Sequence, residues 1–307
     1  MPSTVRPASG PTFILSRDGC RAEIAAIGAS LRRLRANERG LVLGYDADQV
    51  RPNFRGAILA PWPNRVSHGR WAWQGTEQQL ALSEPERGHA LHGLVAWTQW
   101  WPTDVRADSV TLTATLWPQP GYPFVLDLVA SWTVDPHGVS LMLSATNVGT
   151  APAPYGCGFH PYLVAPSGPL ESWLLHVPAR SQMLTDASLA PTEVVSVGPE
   201  ANFRMPRTIG SSRLDHAFTD LTFATDDPTS AVTLVDRDGR GTRVEYDAGT
   251  RWVQIYTSDD VAGNGYRAGV AVEPMTCPPD ALRTHTDVVI LEPHGVHVVR
   301  WRISAVG

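Results

Sequence analysis

Side chains able to do chemistry collect at five places along the 307 residues. Asn64 and Arg65 stand among prolines in Ala60-Pro-Trp-Pro-Asn-Arg-Val66. His89 and His92 lie in Gly88-His-Ala-Leu-His-Gly93. A Gly-rich stretch, Tyr155-Gly-Cys-Gly-Phe-His-Pro-Tyr162, delivers His160, and the Pro after it restricts that histidine to extended or turn geometry. Asp215 and His216 sit in Arg213-Leu-Asp-His-Ala-Phe218. Glu273 ends the apolar run Gly269-Val-Ala-Val272, which puts a carboxylate at the end of a core strand. A carboxylate in such a place is costly unless it is partnered or used. A carboxylate and a histidine are a base and an acid for proton transfer near neutral pH. Arg, His and Asp offer donors and acceptors for a polyhydroxylated ligand.

Each site also has a plainer reading. Arg65 can cap a turn, and Asp215 and His216 can be a surface pair. The spacing of His89 and His92 hints at a metal. On a strand, however, an odd spacing turns the two rings to opposite faces, and a structural zinc site wants more ligands nearby. No metal is assigned.

The elements that must position these residues are strands. With 26 Gly and 26 Pro, the chain has little room for long helices. Val110, Leu112, Ala114 and Leu116 share one face of a period-two run, and Ser109, Thr111, Thr113 and Thr115 share the other. Residues 124–134 and 139–145 flank the turn Asp135-Pro-His-Gly138, and 231–235 and 242–246 flank Asp236-Arg-Asp-Gly239; both read as hairpins. Further strands are expected at 252–257, 269–273 and 296–303. Only Pro279–Leu282 and the region near Arg51–Ile58 suggest a turn or two of helix. The expectation is an all-β chain, one large domain over residues 1–307, built of antiparallel sheets as a sandwich or barrel.

Composition narrows the function. All 25 basic residues are Arg; without Lys there is no Schiff base, no pyridoxal phosphate enzyme, no P-loop and no kinase lysine. The formal charge of −5 and the lack of Arg runs argue against nucleic-acid or membrane partners. Cys20, Cys157 and Cys277 are odd in number and far apart, which suggests three buried small side chains in a reducing compartment. The N-terminus has no apolar signal segment and no apolar stretch is long enough to span a bilayer, so a cytoplasmic location is expected.

Together, Asn64-Arg65, Leu91-His92-Gly93, His160-Pro161-Tyr162, Asp215, and Glu273 with Pro279-Asp280-Ala281 resemble the aldose 1-epimerases, or galactose mutarotases, in order and spacing from about residue 10 onward. The resemblance implies a large antiparallel β-sandwich, the galactose mutarotase-like supersandwich, whose concave face holds a sugar. It implies Glu273 as general base and His160 as general acid, with Asn64, Arg65, His92 and Asp215 on the sugar. It implies no cofactor, and a monomer or homodimer. Mutarotation needs one proton removed from the C1 hydroxyl and one delivered to the ring oxygen, so an acid–base pair suffices. Among the 11 Trp residues, Trp62, beside Asn64-Arg65, is the expected flat face for the sugar. The rivals are a non-catalytic sugar-binding sandwich, a glycoside hydrolase using Glu273 and Asp215, and an epimerase for an anionic sugar such as sulfoquinovose or a hexose phosphate. For the last of these, Arg51, Arg55, Arg70 and Arg87 flank the first two motifs.

Overall fold

The computed structural model describes residues 6–223, 228–259 and 263–307. Antiparallel strands dominate, as the period-two patterns require. A nine-stranded sheet runs in the order Trp101–Val105, Ser109–Leu116, Leu126–Asp135, Gly138–Asn147, Val296–Val306, Gly241–Asp247, Thr229–Val235, Leu174–His176 and Arg207–Thr208. An eight-stranded sheet follows Pro191–Ser196, Ala179–Thr185, Asp215–Leu221, Trp252–Tyr256, Val270–Met275, Gly158–Phe159 and Ile58–Leu59, with Tyr162–Leu163 also paired to Val270–Met275. A smaller sheet, Thr12–Arg17, Cys20–Ala25, Ser30–Ala36 and Arg39–Gly40, lies against Leu126–Asp135 and Gly138–Asn147. The one α-helix among the described residues is Ala281–Thr284, and a 3-10 turn spans Pro52–Phe54, both in the regions expected.

Local sequence explains the pairings. Ser109–Leu116 alternates strictly, with Val110, Leu112, Ala114 and Leu116 buried. Both expected hairpins form. Asp135 pairs with Gly138, and the Asp135 carboxylate accepts the His137 N–H at 2.8 Å. In the second hairpin, Asp236 accepts the N–H groups of Asp238 and Arg240 at 3.0 Å each, an Asx-type closure. Cys20, Cys157 and Cys277 are buried and unpaired. Among the described residues no helix is long and apolar enough to cross a membrane.

The two large sheets meet through aromatic side chains. Phe159, on the eight-stranded sheet, has its ring 5.5 Å from that of Trp132 and 6.1 Å from that of Trp301, both on the nine-stranded sheet. The indole N–H groups of the two tryptophans reach the Ala29 carbonyl at 3.2 Å and the Thr250 hydroxyl at 2.9 Å, so their burial leaves no polar atom stranded. Phe159 immediately precedes His160, which ties the core to the site. Phe159→Ala should therefore destabilise the protein by about 3–5 kcal/mol in urea unfolding. A loss below about 1 kcal/mol would mean that the sheets do not depend on this contact.

Candidate active site

The site is built on strand register. Opposite residues in an antiparallel pair share a face. Gln254 lies opposite both Ala217 and Glu273, and Tyr256 lies opposite both Asp215 and Ala271. Asp215, Gln254, Tyr256 and Glu273 therefore project from one face, while Ile255 and Val272 fill the core behind it. Glu273 is not at a strand end, as the apolar run suggests; Val270–Met275 continues past it, and the carboxylate rises from mid-strand. Gly158 pairs with Met275, and Tyr162 pairs with Ala271. The same register brings His160 opposite Glu273, with its Nε2 3.3 Å from Oε1.

Two left-handed turns supply the opposite wall. Asn64 (φ 55°) and His92 (φ 62°) end facing segments, and His92 is followed by Gly93 at φ 75°. A Cβ on Gly93 would lie 2.1 Å from the Ala60 carbonyl oxygen, so only glycine lets the chain turn there. The turns interlock. The His92 N–H donates to the Asn64 carbonyl at 2.9 Å, the Asn64 N–H to His92 Nδ1 at 3.2 Å, and the Arg65 N–H to the Asn64 side-chain oxygen at 2.8 Å. Arg65 holds Glu84 through two bonds of 2.8 and 3.0 Å, and Arg87 shares that carboxylate at 3.0 Å. Asp280 belongs to this scaffold rather than to the site. It is fully buried, it accepts the Ser67 N–H at 2.8 Å, and its own N–H donates to the Arg65 carbonyl at 2.6 Å.

These walls enclose a cavity of about 400 Å³ lined by Asn64, Arg65, His92, His160, Asp215 and Glu273. All six were singled out by the motifs, Glu273 and His160 as base and acid and Asn64, Arg65, His92 and Asp215 as hydroxyl-binding groups. One other expectation fails. Trp62 is 2% exposed and packs on Tyr122, because the Pro-rich connection between Ile58–Leu59 and Arg65–Ser67 turns the indole into the core; it is not among the residues that line the cavity. His89 is also structural. Its Nδ1 accepts the His68 N–H at 3.4 Å and its Nε2 meets the Ser188 carbonyl at 2.9 Å.

Electrostatics give the pair its character. Burial pushes the Glu273 carboxyl well above its usual value, helped by Asp215 and opposed by Arg65. Burial also pushes the His160 imidazole down to about 3. Burial thus disfavours the charged form of each group, which favours a proton shared across the contact over an ion pair. Glu273 Oε2 and His160 Nδ1 have no hydrogen-bond partner among the described residues, so the proton has few alternatives. Burial holds His92 neutral as well. Its Nδ1 accepts a backbone N–H, so the hydrogen sits on Nε2. That tautomer bears on metal binding. Ligand atoms of His92, His160 and Glu273 lie within 4.8 Å of one another, but an Nε2 that carries hydrogen has no lone pair for an ion. The arrangement suits hydrogen bonding and proton transfer.

Comparison with known proteins agrees with the geometry. A profile of the aldose 1-epimerase family matches residues 11–304. The chain belongs to the aldose 1-epimerase family. It is 34% identical over 291 residues to the uncharacterized protein YihR of Escherichia coli K12, covering 94% of this chain and 91% of that one. Its fold is similar to that of the GalM/aldose epimerase homologue from C. elegans, with a TM-score of 0.84, 17% identity, and 96% and 98% of the two chains covered. It is also similar in fold to the galactose 1-epimerase of Lactobacillus acidophilus, with a TM-score of 0.79, 17% identity, and 95% and 93% covered.

Several residues of this epimerase-family site escape the motifs. Gln254 donates to Asp215 at 2.5 Å from the middle of a buried strand. A polar residue at an inward position of Trp252–Tyr256 is the signal for it, the same signal that marks Glu273. Glu84 sits in a charged stretch that reads as surface. Asn53 and Phe54 lie on a turn with no sequence signature of a site.

The charge of Glu273 has a consequence for stability. A carboxyl with a raised folded-state pKa contributes fully below its unfolded value of about 4.5, and that contribution is lost as pH rises through the folded-state value. Glu273→Gln mimics the neutral form at every pH. The variant should melt above the wild type at pH 8, with the gap closing toward pH 4.5, by up to about 1.4 kcal/mol for each unit of upward shift. Equal melting curves at both pH values would mean that Glu273 is not held neutral.

Proposed function

We propose that the protein is an aldose 1-epimerase that interconverts the α and β anomers of a free aldose by acid–base ring opening. The observation that carries this reading is the contact between His160 Nε2 and Glu273 Oε1 at 3.3 Å, open to a cavity of polar groups. Moving the carboxyl proton onto His160 gives a carboxylate and an imidazolium. Glu273 then takes the proton of the C1 hydroxyl as the imidazolium delivers one to the ring oxygen, and the C1–O bond to the ring breaks. The pair is left as carboxyl and imidazole, the form that burial favours. Rotation about C1–C2 and the reverse transfers close the ring to the other anomer. Arg65, His92 Nε2–H and Asp215 hold the hydroxyls. A pair of one carboxyl and one imidazole favours this reaction over glycoside hydrolysis, which requires two carboxyl groups flanking the bond, and a binding module needs no such pair.

A neutral aldose is the substrate best supported. Of the four flanking arginines, Arg51 is bound to the Ile27 and Ala96 carbonyls, Arg55 to Gly44 and Arg70 to Gln79. Arg87 alone among them lines the cavity, and its side chain is 36% exposed. A sulfonate or carboxylate at C6 of the sugar would have to be read there.

Polarimetry on glucose, galactose and xylose tests the activity. Glu273→Gln and His160→Asn should each lower kcat by roughly two to four decades with modest change in KM. A variant keeping half of wild-type turnover would remove its residue from the mechanism. The wild-type profile of kcat/KM should be bell-shaped, since the active form carries one proton. The acid limb lies near the His160 value of about 3, and the alkaline limb lies above the ordinary carboxylate range. Activity that rises with pH and never falls is the behaviour of a lone carboxylate base and contradicts a shared proton. On substrate, Arg87→Gln should leave kcat/KM for glucose within about threefold, as expected for a half-exposed side chain. A strong wild-type preference for a C6-anionic aldose, abolished in that variant, would reassign the substrate and keep the chemistry.

A further inference from the structure

The turn over residues 51–56 is held more firmly than closing a chain requires. Asn53 (φ 47°) and Phe54 (φ 55°) are both left-handed, a conformation that a bulky side chain such as Phe rarely adopts. Two arginine side chains clamp it, Arg51 buried and Arg55 partly buried. Arg51 reaches the Ile27 carbonyl at 3.2 Å and that of Ala96, with its guanidinium 4.6 Å from the centre of the Trp97 ring. Arg55 reaches the Gly44 carbonyl at 3.2 Å, with its guanidinium 5.6 Å from the centre of the Tyr162 ring. The Nε of each has no partner among the described residues, and burial works against the charge of both. Backbone bonds then tie the turn to the catalytic strand. Gly56 N–H donates to the His160 carbonyl at 2.7 Å, and His160 N–H donates to the Ala57 carbonyl at 3.0 Å.

The result of this construction is the position of one ring. Phe54 lines the cavity, 4.7 Å from the His92 ring and 6.3 Å from the His160 ring, nearly parallel to the latter at 21°. Trp97 backs it at 5.4 Å. Other parts of the lining are polar, with Asp215, Gln254 and Glu273. A pyranose has hydroxyls at its rim and C–H groups on its faces, so a site with one polar wall and one aromatic wall matches both. We propose that Phe54 is a specificity-determining residue that supplies the apolar face on which the C–H side of a closed pyranose lies, with Arg51 and Arg55 as positioning residues. This rests on the sugar reading and narrows it: the site selects the closed ring over an open polyol. The ring-opened aldehyde, having no flat face, loses this contact and is free to rotate about C1–C2.

The test uses Phe54→Leu, Phe54→Tyr and Arg55→Gln in the full chain. The probes are a pyranose substrate, 1,5-anhydroglucitol (a closed ring with no anomeric hydroxyl) and the open polyol glucitol. Phe54→Leu should raise KM roughly five- to tenfold with kcat within about threefold, about the value of one aromatic contact. Its calorimetric affinity for anhydroglucitol should fall in parallel. Phe54→Tyr keeps the ring and should restore both to within about twofold. Arg55→Gln should move KM in the same direction and leave the pH profile unchanged. Wild type should bind anhydroglucitol more tightly than glucitol. An unchanged KM in Phe54→Leu, a Tyr variant as impaired as the Leu variant, or a loss confined to kcat overturns the aromatic wall while mutarotation stands. A shifted pH profile in Arg55→Gln overturns its positioning role. A wild type that neither turns over aldoses nor binds either probe overturns the sugar site and the wall together.

Discussion

A carboxyl and an imidazole, both almost fully buried, face each other across 3.3 Å at the wall of the cavity, and most of the surrounding structure holds that arrangement. Each group alone would prefer water and its charged form. Burial removes that option and leaves transfer across the contact as the inexpensive change of state. The register that joins Gly158–Phe159 and Tyr162–Leu163 to Val270–Met275 fixes the separation. The backbone, not a mobile side-chain network, therefore sets the acid–base geometry.

The charges nearby are arranged so as not to disturb the pair. Arg65 points its guanidinium at Glu84, which also holds Arg87, so two cations share one carboxylate. Asp215 is held by the Gln254 amide. A free Arg65 would draw Glu273 back toward the ionised form, and an unbonded Asp215 would push it further toward the neutral one. The balance of these neighbours, with burial as the dominant effect, shifts Glu273 toward its protonated form.

Much of this is legible in the sequence because it follows from alternation. Strict period-two runs mark the strands, and turn residues such as Asp135 and Asp236 mark the hairpins. A carboxylate in an apolar run marks Glu273. What is not legible arises where chemistry depends on tertiary direction. Trp62 adjoins the site in sequence yet points into the core, because it sits in the proline-rich connection before Arg65–Ser67, whose direction only the folded chain sets. Glu84 looks like a surface acid until Arg65 is folded against it. Phe54 reads as an ordinary aromatic, because its left-handed backbone depends on where the flanking Arg51 and Arg55 side chains find carbonyls far away in sequence. His89 and His92 look like a pair, and the strand separates them.

The bond from the Ser67 N–H to the Asp280 carboxylate joins residues 213 apart in the chain. At translation rates of ~5–20 residues per second, the segment carrying Arg65 leaves the ribosome roughly ten to forty seconds before its anchor exists. Glu273 and the strand opposite His160 arrive equally late. The nascent chain therefore carries Arg65 without a site to put it in, and the cavity is completed only when the final quarter of the polypeptide docks. High contact order of this kind makes assembly slow and concerted. It also means that no partly made molecule presents a reactive acid–base pair to the cell.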